Sequence, residues 1–137
     1  NKPLIIYGDG NQKRAFCYID DLINGFILGI NFLLKNHCKE IFNIGNDKEL
    51  YSINQLKDIM IKEAKKLKII KKNPDVVYLP LEERGDKYID LEFRQPDLSK
   101  IKKLLGYNPQ ISLKEGIKLS LKTALKYKHK WEKLLNS

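Results

Sequence analysis

The sequence predicts an α/β fold with few strands and about four helices. Short apolar runs of four or five residues alternate with longer segments in which apolar residues recur at helical spacing. Two capping boxes, Ser52-x-x-Gln55 and Ser112-x-x-Glu115, mark the starts of two helices. The length of 137 residues and the hydrophobic share of 42% suit one domain with a sizeable core and exclude a disordered tail.

The first part of the chain contains a strand, an extended piece and a long helix. Residues 4–7 form an apolar run, and the Gly-Asp-Gly-Asn of residues 8–11 predicts a tight turn after this strand. An extended piece follows over residues 14–18. The Asp20-Asp21 pair can cap a helix that runs to about Asn36. The apolar residues of this helix form a wide face: Leu22, Ile23, Phe26, Ile27, Ile30, Leu33 and Leu34.

The middle of the chain predicts two further strands around a second helix. Ile41–Gly45 is a candidate for a buried strand, and the helix that follows is expected to cover Ile53–Leu67. Val76–Leu79 is the next strand candidate, which Pro80 ends. Residues 81–96 are charged and irregular.

Two helices are expected to complete the fold. Asp97 can cap a short helix that Gly106 ends and that Pro109 prevents from continuing. A long last helix follows from Ser112, with Trp131 as a further candidate for its core face. The main residues of that core face are Leu113, Ile117, Leu121 and Leu125. Lysines recur every fourth residue on the opposite side, from Lys114 to Lys130.

The formal net charge of +9 comes almost entirely from lysine. Only three of the 26 basic residues are arginines, namely Arg14, Arg84 and Arg94. Lysine on solvated helix faces serves solubility and indicates little about a partner. A basic module that contacts nucleic acid or an anionic membrane through the lysine-rich last helix remains an alternative. The basic residues 62–72 nevertheless lack the interleaved aromatics of a single-strand nucleic-acid platform.

Several classes of protein and site are excluded by what the sequence lacks. Cys17 and Cys38 cannot frame a disulfide scaffold, and neither they nor His37 and His129 have metal-ligand spacing. No run reaches the roughly 18 apolar residues of a membrane span. Because the sequence opens on polar residues without a signal peptide, we expect a cytoplasmic protein.

The motifs of nicotinamide enzymes are also missing. The Gly8-x-Gly10 turn has Lys13 where a dinucleotide fingerprint needs its third glycine. No tyrosine is followed four residues later by lysine, so the Tyr-x-x-x-Lys pair that serves proton transfer beside a nicotinamide is absent.

Three polar residues stand at positions that suit an anion site. Arg14 follows the glycine turn, Asn43 lies within an apolar run, and Arg94 lies in the charged stretch. An arginine fork and an asparagine amide can together hold a diphosphate or a carboxylate. Each also has a purely structural alternative. Asn43 can bond neighbouring backbone, and either arginine can pair with a carboxylate such as Glu92 or Asp97.

Three blocks of sequence stand out in order: Tyr7–Leu22, Phe42–Gly45, and Arg94–Lys100 followed by Leu104–Pro109. Together they cover nearly the whole chain, and they resemble the C-terminal region of the extended short-chain dehydrogenases/reductases, the family of NAD-dependent nucleotide-sugar epimerases, dehydratases and decarboxylases. Within the family, the pattern Tyr88-x-Asp-x-Glu-x-Arg-x-Pro96 is most similar to UDP-glucuronate decarboxylases.

The resemblance implies roles for the matching residues. Arg14 would grip the nucleotide diphosphate, Asn43 would help on the diphosphate side, and Ile5, Ile6 and Tyr7 would run beside the base. In the compared decarboxylase domain a lysine stands near the position of Ile5, so the apolar residue here weakens that contact.

Two residues of the late block are implied to approach the sugar. These are Tyr88, as a substrate-binding residue, and Arg94, as a catalytic residue that orients the sugar carboxylate or donates a proton. Decarboxylation of a UDP-glucuronate-type substrate is therefore the favoured reaction of the parent enzyme.

The resemblance also implies that residues 1–137 are the nucleotide-sugar-binding C-terminal portion of a longer enzyme. The N-terminal Rossmann part, with its NAD site and catalytic Tyr-x-x-x-Lys, has no counterpart in this sequence. We therefore expect the parent to use NAD and no metal, to bind a nucleotide sugar that is UDP-linked, and to form a homodimer. Neither nucleic acid nor membrane is expected as a partner, and the portion alone is expected to be inactive.

Overall fold

Two small sheets and four helices make up the described part of the chain. The computed structural model describes residues 2–48, 50–84 and 90–128. The strands are β1 (Leu4–Tyr7), β2 (Lys13–Arg14), β3 (Tyr51–Ser52), β4 (Val76–Leu79) and β5 (Phe93–Arg94). The helices are α1 (Ile19–Asn36), α2 (Ile53–Lys66), α3 (Ser99–Leu105) and α4 (Leu113–Lys126), and a 3-10 turn covers Leu81–Arg84. The predicted α/β class with about four helices is confirmed.

The strands form two separate sheets. In the first, β1 and β4 run parallel, with Leu4 opposite Val76 and Tyr7 opposite Leu79. In the second, β2 lies between β3 and β5. It pairs antiparallel with β3 and parallel with β5. The second sheet therefore joins three segments that are far apart in the sequence.

The capping box that opens α2 is formed as predicted. The Ser52 hydroxyl accepts from the Gln55 backbone N–H at 3.1 Å, and the Gln55 side-chain oxygen accepts from the Ser52 N–H at 2.8 Å. For the predicted box at α4, the Ser112 hydroxyl caps the helix by accepting from the Glu115 N–H at 3.3 Å. Gly106 ends α3 with a φ of 65°, in the left-handed region that glycine adopts freely.

The prediction that Asp20 or Asp21 caps α1 is wrong. The helix begins at Ile19, its N-terminal flanking residue is Tyr18, and both aspartates lie inside the first turn. Asp21 is buried, and its two carboxylate oxygens accept from the backbone N–H groups of Gln110 and Ile111, each at 2.9 Å. Its carboxylate is therefore used for a long-range contact.

The predicted strand Ile41–Gly45 is also wrong, because the segment is irregular and Ile41 is 83% exposed. An apolar run becomes a strand only where a second strand satisfies its backbone, and no described strand lies beside this run. Phe42 and Ile44 nevertheless pack against the core.

The buried core lies around α3. Leu98, Ile101 and Tyr107 are each 1% exposed, and partly buried apolar side chains pack against them. The predicted core face of α4 is partly confirmed. Leu113 is buried and Leu121 is half-buried, but Leu125 is exposed.

The apolar face of α1 is mostly uncovered by the described residues. Six of its large apolar side chains are between 48% and 68% exposed: Ile19, Ile23, Phe26, Ile27, Ile30 and Leu34. The buried residues of α1 are Asp21, Gly25 and Gly29. The helix therefore contacts the core along a narrow stripe and presents an apolar surface on its other side.

The two glycines of α1 differ in how closely they are packed, which predicts opposite effects of alanine. A β-carbon at Gly25 would lie 2.5 Å from Ile44 Cγ2, whereas one at Gly29 would have no described atom within 4 Å. Gly25→Ala is expected to lower the free energy of unfolding by about 1–2 kcal/mol, because overpacking outweighs the gain in helix propensity. Gly29→Ala is expected to raise it by about 0.5–1 kcal/mol. Urea unfolding followed by circular dichroism checks both, and effects of the same sign would contradict the packing described.

Candidate functional site

A cleft of about 330 Å³ lies beside the carboxyl end of β1. Its lining residues are Ile5, Ile6, Tyr7, Gln12, Arg14, Ile53 and Asp90. Four of these were predicted as site residues from the sequence, namely Ile5, Ile6, Tyr7 and Arg14. The structure therefore brings together the strand expected beside a base and the arginine expected on a diphosphate.

Arg14 is positioned by the centre of the three-stranded sheet. The Lys13 N–H donates to the Glu92 carbonyl at 2.8 Å, and the Ala15 N–H donates to the Arg94 carbonyl at 3.2 Å. On the other edge of β2, Arg14 is the register partner of Tyr51. Because β2 is paired on both sides, the arginine extends from a backbone that both neighbours restrain.

The guanidinium of Arg14 has two partners within the protein. Nη1 donates to the Lys13 carbonyl at 2.6 Å, and Nη2 forms an ion pair with Asp90. The Arg14 and Asp90 side chains are 17% and 12% exposed. The sequence left open an ion pair with a nearby carboxylate and suggested Glu92 or Asp97. Asp90 was not singled out, because the contact spans 76 residues and has no local signal.

Arg94 lies directly beside Arg14 in the sheet. The two residues are register partners in the parallel pair of β2 and β5. Paired residues of neighbouring strands share a face of the sheet, and the strands lie about 4.8 Å apart. Arg94 is exposed and does not line the cleft in the described structure. Two arginines therefore start from the same face, one at the cleft and one next to it.

Asn43, a further predicted site residue, does not line the cleft in the described structure. The Asn43 side chain is exposed and donates to the Asp97 carbonyl at 3.1 Å. The side chain thus bonds backbone, as in the structural alternative, but the carbonyl lies 54 residues away and not in the neighbouring chain. Tyr88 lies outside the described residues.

The glycine turn before β2 is a structural turn. Gly8 and Gly10 have φ values of 75° and 74°, and the Asp9 carboxylate accepts from the Asn11 N–H at 2.8 Å, which lowers the pKa of Asp9. A β-carbon at Gly10 would lie 2.6 Å from the Asn54 side-chain oxygen. The turn leads into a strand rather than into a helix N-terminus, so these residues do not fit the pyrophosphate of NAD.

Other kinds of site find little support among the described residues. In that part of the chain no group of three or more His, Cys, Asp or Glu side chains is arranged to hold a metal. Burial raises the pKa of the Cys17 thiol, so this group stays protonated at neutral pH. None of the described helices combines the length and apolarity of a membrane span.

The lysine-rich side of α4 has the properties of a solvated face. Lys114, Lys122 and Lys126 are exposed, and Lys118 pairs with Glu115 one turn away at 3.4 Å. The helix packs against α2, and its buried residues are Leu113 and Gly116. The alternative of a nucleic-acid or membrane module therefore gains no support.

Comparison with known proteins matches the chain to proteins named as nucleotide-sugar dehydratases, epimerases and decarboxylases. Residues 1–120 match the family model described as GDP-mannose 4,6 dehydratase. A UDP-glucuronate 4-epimerase of Thermodesulfobacterium geofontis is 38% identical over 117 residues, which are 85% of this chain and 32% of that protein. UDP-glucuronic acid decarboxylase 2 of Arabidopsis thaliana is 32% identical over 121 residues, covering 88% of this chain and 24% of that protein.

A solved structure has the same fold over most of the chain. The UDP-glucuronic acid 4-epimerase of Bacillus cereus, in complex with UDP-glucuronic acid and NAD, superposes with a TM-score of 0.68 at 34% identity. The match covers 85% of this chain and 33% of the epimerase. The chain thus spans about a third or less of the length of these relatives. By its sequence blocks, its fold and these matches, the chain belongs to the GDP-mannose 4,6-dehydratase family of extended short-chain dehydrogenases/reductases.

Proposed function

We propose that this chain is the nucleotide-sugar-binding portion of a longer NAD-dependent enzyme that acts on UDP-glucuronate. The observation that carries the proposal is the cleft in which an apolar strand, β1, and the guanidinium of Arg14 lie together. We favour decarboxylation as the reaction of the parent and keep 4-epimerisation as the alternative. Residues 1–137 alone are expected to bind the nucleotide without turning it over.

The shape and chemistry of the cleft suit a nucleoside diphosphate. A volume of about 330 Å³ falls within the range of small-ligand pockets. Ile6 and Ile53 provide apolar surface for a flat base, and the Arg14 fork can donate two parallel hydrogen bonds to phosphate oxygens. Lysine on its flexible stem would not give this fixed geometry.

The remaining part of the enzyme is proposed to supply the NAD site. NAD would accept a hydride from the sugar there, because the glycine turn of residues 8–11 leads into a strand and does not fit the pyrophosphate of that cofactor. The six exposed apolar side chains of α1 support this division, because a surface of that kind is usually covered by another part of a protein. We expect the parent to form a homodimer through the part not represented here.

Arg94 is proposed as the residue that distinguishes the outcome at the sugar. Once C4 of a glucuronate is a ketone, the C6 carboxylate belongs to a β-keto acid and loses CO₂ readily. A guanidinium beside Arg14 can hold that carboxylate or donate a proton to the resulting carbanion. The 38% identity to a 4-epimerase favours the alternative, in which the carboxylate is retained. Assay of the parent for CO₂ release or for UDP-galacturonate separates the two reactions.

The Arg14 side chain is expected to carry a large share of the affinity for UDP. We expect Arg14→Ala to weaken UDP binding to the chain at least about tenfold, because a charge-assisted bidentate contact is lost. Lys122→Ala removes the same charge from the exposed side of α4 and is expected to leave the affinity near that of the wild type. Isothermal titration calorimetry measures the affinity for UDP of the wild type, Arg14→Ala and Lys122→Ala.

Two results would contradict the proposal. Equal affinity of the wild type and Arg14→Ala would remove the arginine from the site. Equal weakening by Arg14→Ala and Lys122→Ala would show that net charge, rather than the fork of Arg14, attracts the nucleotide.

A further inference from the structure

Asp90 is the acidic counterpart of Arg14 in the cleft. Among the described residues that line the cleft, Arg14 and Asp90 carry the formal charges, one positive and one negative. The two side chains form an ion pair and are mostly shielded from solvent. The wall of the cleft is therefore electrically neutral, although its proposed ligand is an anion.

The position of Asp90 follows from the pairing of β5 with β2. The Glu92 carbonyl accepts from the Lys13 N–H at 2.8 Å, which fixes the chain two residues after Asp90. Asp90 itself precedes β5 and is not a register partner in the sheet. Its carboxylate can leave Arg14 through a side-chain rotation while the strand pairing stays intact.

The Asp90 carboxylate occupies one side of the Arg14 guanidinium. Nη1 already donates to the Lys13 carbonyl at 2.6 Å, and Nη2 faces the carboxylate. A phosphate oxygen in the Asp90 position on Nη2 replaces the carboxylate oxygen there. Each terminal nitrogen has a second N–H group, but a phosphate that uses only these groups lies close to the Asp90 carboxylate, which repels it.

We propose that Asp90 occupies the phosphate position on Arg14 in the free protein, so that a nucleotide diphosphate binds by displacing this carboxylate. The inference rests on the proposed function, in which Arg14 holds the diphosphate. It makes Asp90 a residue that sets affinity and selectivity. Ligands with two or more phosphate charges overcome the competition, whereas singly charged anions do so poorly.

The test compares UDP and inorganic pyrophosphate binding to the wild type and to three variants by isothermal titration calorimetry. Asp90→Asn removes the competing charge and is expected to lower the dissociation constants of UDP and pyrophosphate at least about fivefold. Asp90→Glu keeps the charge and is expected to bind neither ligand more tightly than the wild type. Asp58→Asn changes the net charge equally at a carboxylate on α2 that is 70% exposed, and it is expected to match the wild type.

The outcomes separate this inference from the proposed function. If the wild type binds UDP and Asp90→Asn binds it equally or more weakly, Asp90 is a support for Arg14 and the inference is overturned. If neither protein binds UDP or pyrophosphate, both the inference and the nucleotide site are wrong. Circular dichroism verifies that Asp90→Asn is folded, and Asp90→Ser, which also removes the charge, replaces it if it is not.

Discussion

Replacing Tyr107 by alanine is expected to lower the free energy of unfolding by about 3–5 kcal/mol, the largest effect of any single change considered for this chain. Tyr107 is 1% exposed and packs with Leu98 and Ile101 in the buried core. Its removal leaves a cavity that the surrounding helices can fill only in part. Urea unfolding followed by circular dichroism measures the loss.

The hydroxyl group of Tyr107 makes a separable contribution. It donates to the Gly45 carbonyl at 2.8 Å, and burial raises the pKa of Tyr107 well above its ordinary value. Tyr107→Phe keeps the ring and leaves that carbonyl without its donor, which is expected to cost about 1–3 kcal/mol. Tyr127→Ala, at an exposed tyrosine after α4, is expected to change stability by less than about 0.5 kcal/mol. A loss below about 1 kcal/mol for Tyr107→Ala would mean that the core does not depend on this ring.

Tyr107 also connects the core to the segments around the cleft. The carbonyl that it binds belongs to Gly45, and a β-carbon at Gly45 would lie 3.0 Å from Pro96. Pro96 lies two residues after Arg94, which is the last residue of β5. The hydroxyl therefore helps to hold the irregular 41–45 segment against the chain that continues from the strand beside Arg14.

The elements that the sequence predicted well are those determined by local signals. Leu4–Tyr7 and Val76–Leu79 are strands with the predicted bounds, and α2 begins at Ile53 as its capping box indicates. Apolar periodicity, a glycine turn and a serine cap act within a few residues of each other. A sequence can therefore be interpreted correctly at these places without knowledge of the fold.

The elements that the sequence missed depend on distant partners. The strands β3 and β5 were missed, and the extended piece expected over residues 14–18 is a strand only at Lys13–Arg14. These strands have two residues each, which is too short for any alternating pattern, and they exist because three separate segments meet. Residues 41–45, by contrast, have the apolar pattern of a strand, but no described strand pairs with them.

The same distinction applies to the cleft. Arg14 could be proposed from its turn and from the scarcity of arginine. Asp90 could not, because only the pairing of β5 with β2 brings it to the guanidinium. The position of Arg94 beside Arg14 likewise depends on a register that the sequence does not reveal.

Replacing Asp21 by alanine is expected to have the second-largest effect, a loss of about 2–4 kcal/mol. Both oxygens of this buried carboxylate accept backbone hydrogen bonds at 2.9 Å, from Gln110 and Ile111. These bonds attach the segment before α4 to the first turn of α1. Bonds to a charged acceptor are stronger than those between neutral groups, and alanine leaves both N–H groups without a partner.

Two further variants distinguish the carboxylate clamp from a general effect of charge in the first turn of α1. Asp20→Ala removes an exposed carboxylate from the same turn and is expected to cost less than about 1 kcal/mol, through the helix dipole alone. Asp21→Asn keeps the shape of the side chain, but its amide nitrogen then faces one of the two backbone donors. Because one bond survives and the other becomes a repulsion between donors, Asp21→Asn is expected to lose about half or more of what Asp21→Ala loses. If Asp21→Asn were as stable as the wild type in urea unfolding, one acceptor would be enough and the two-oxygen clamp would be wrong. If Asp20→Ala lost as much as Asp21→Ala, the charge in the first turn would matter more than the contact with Gln110 and Ile111.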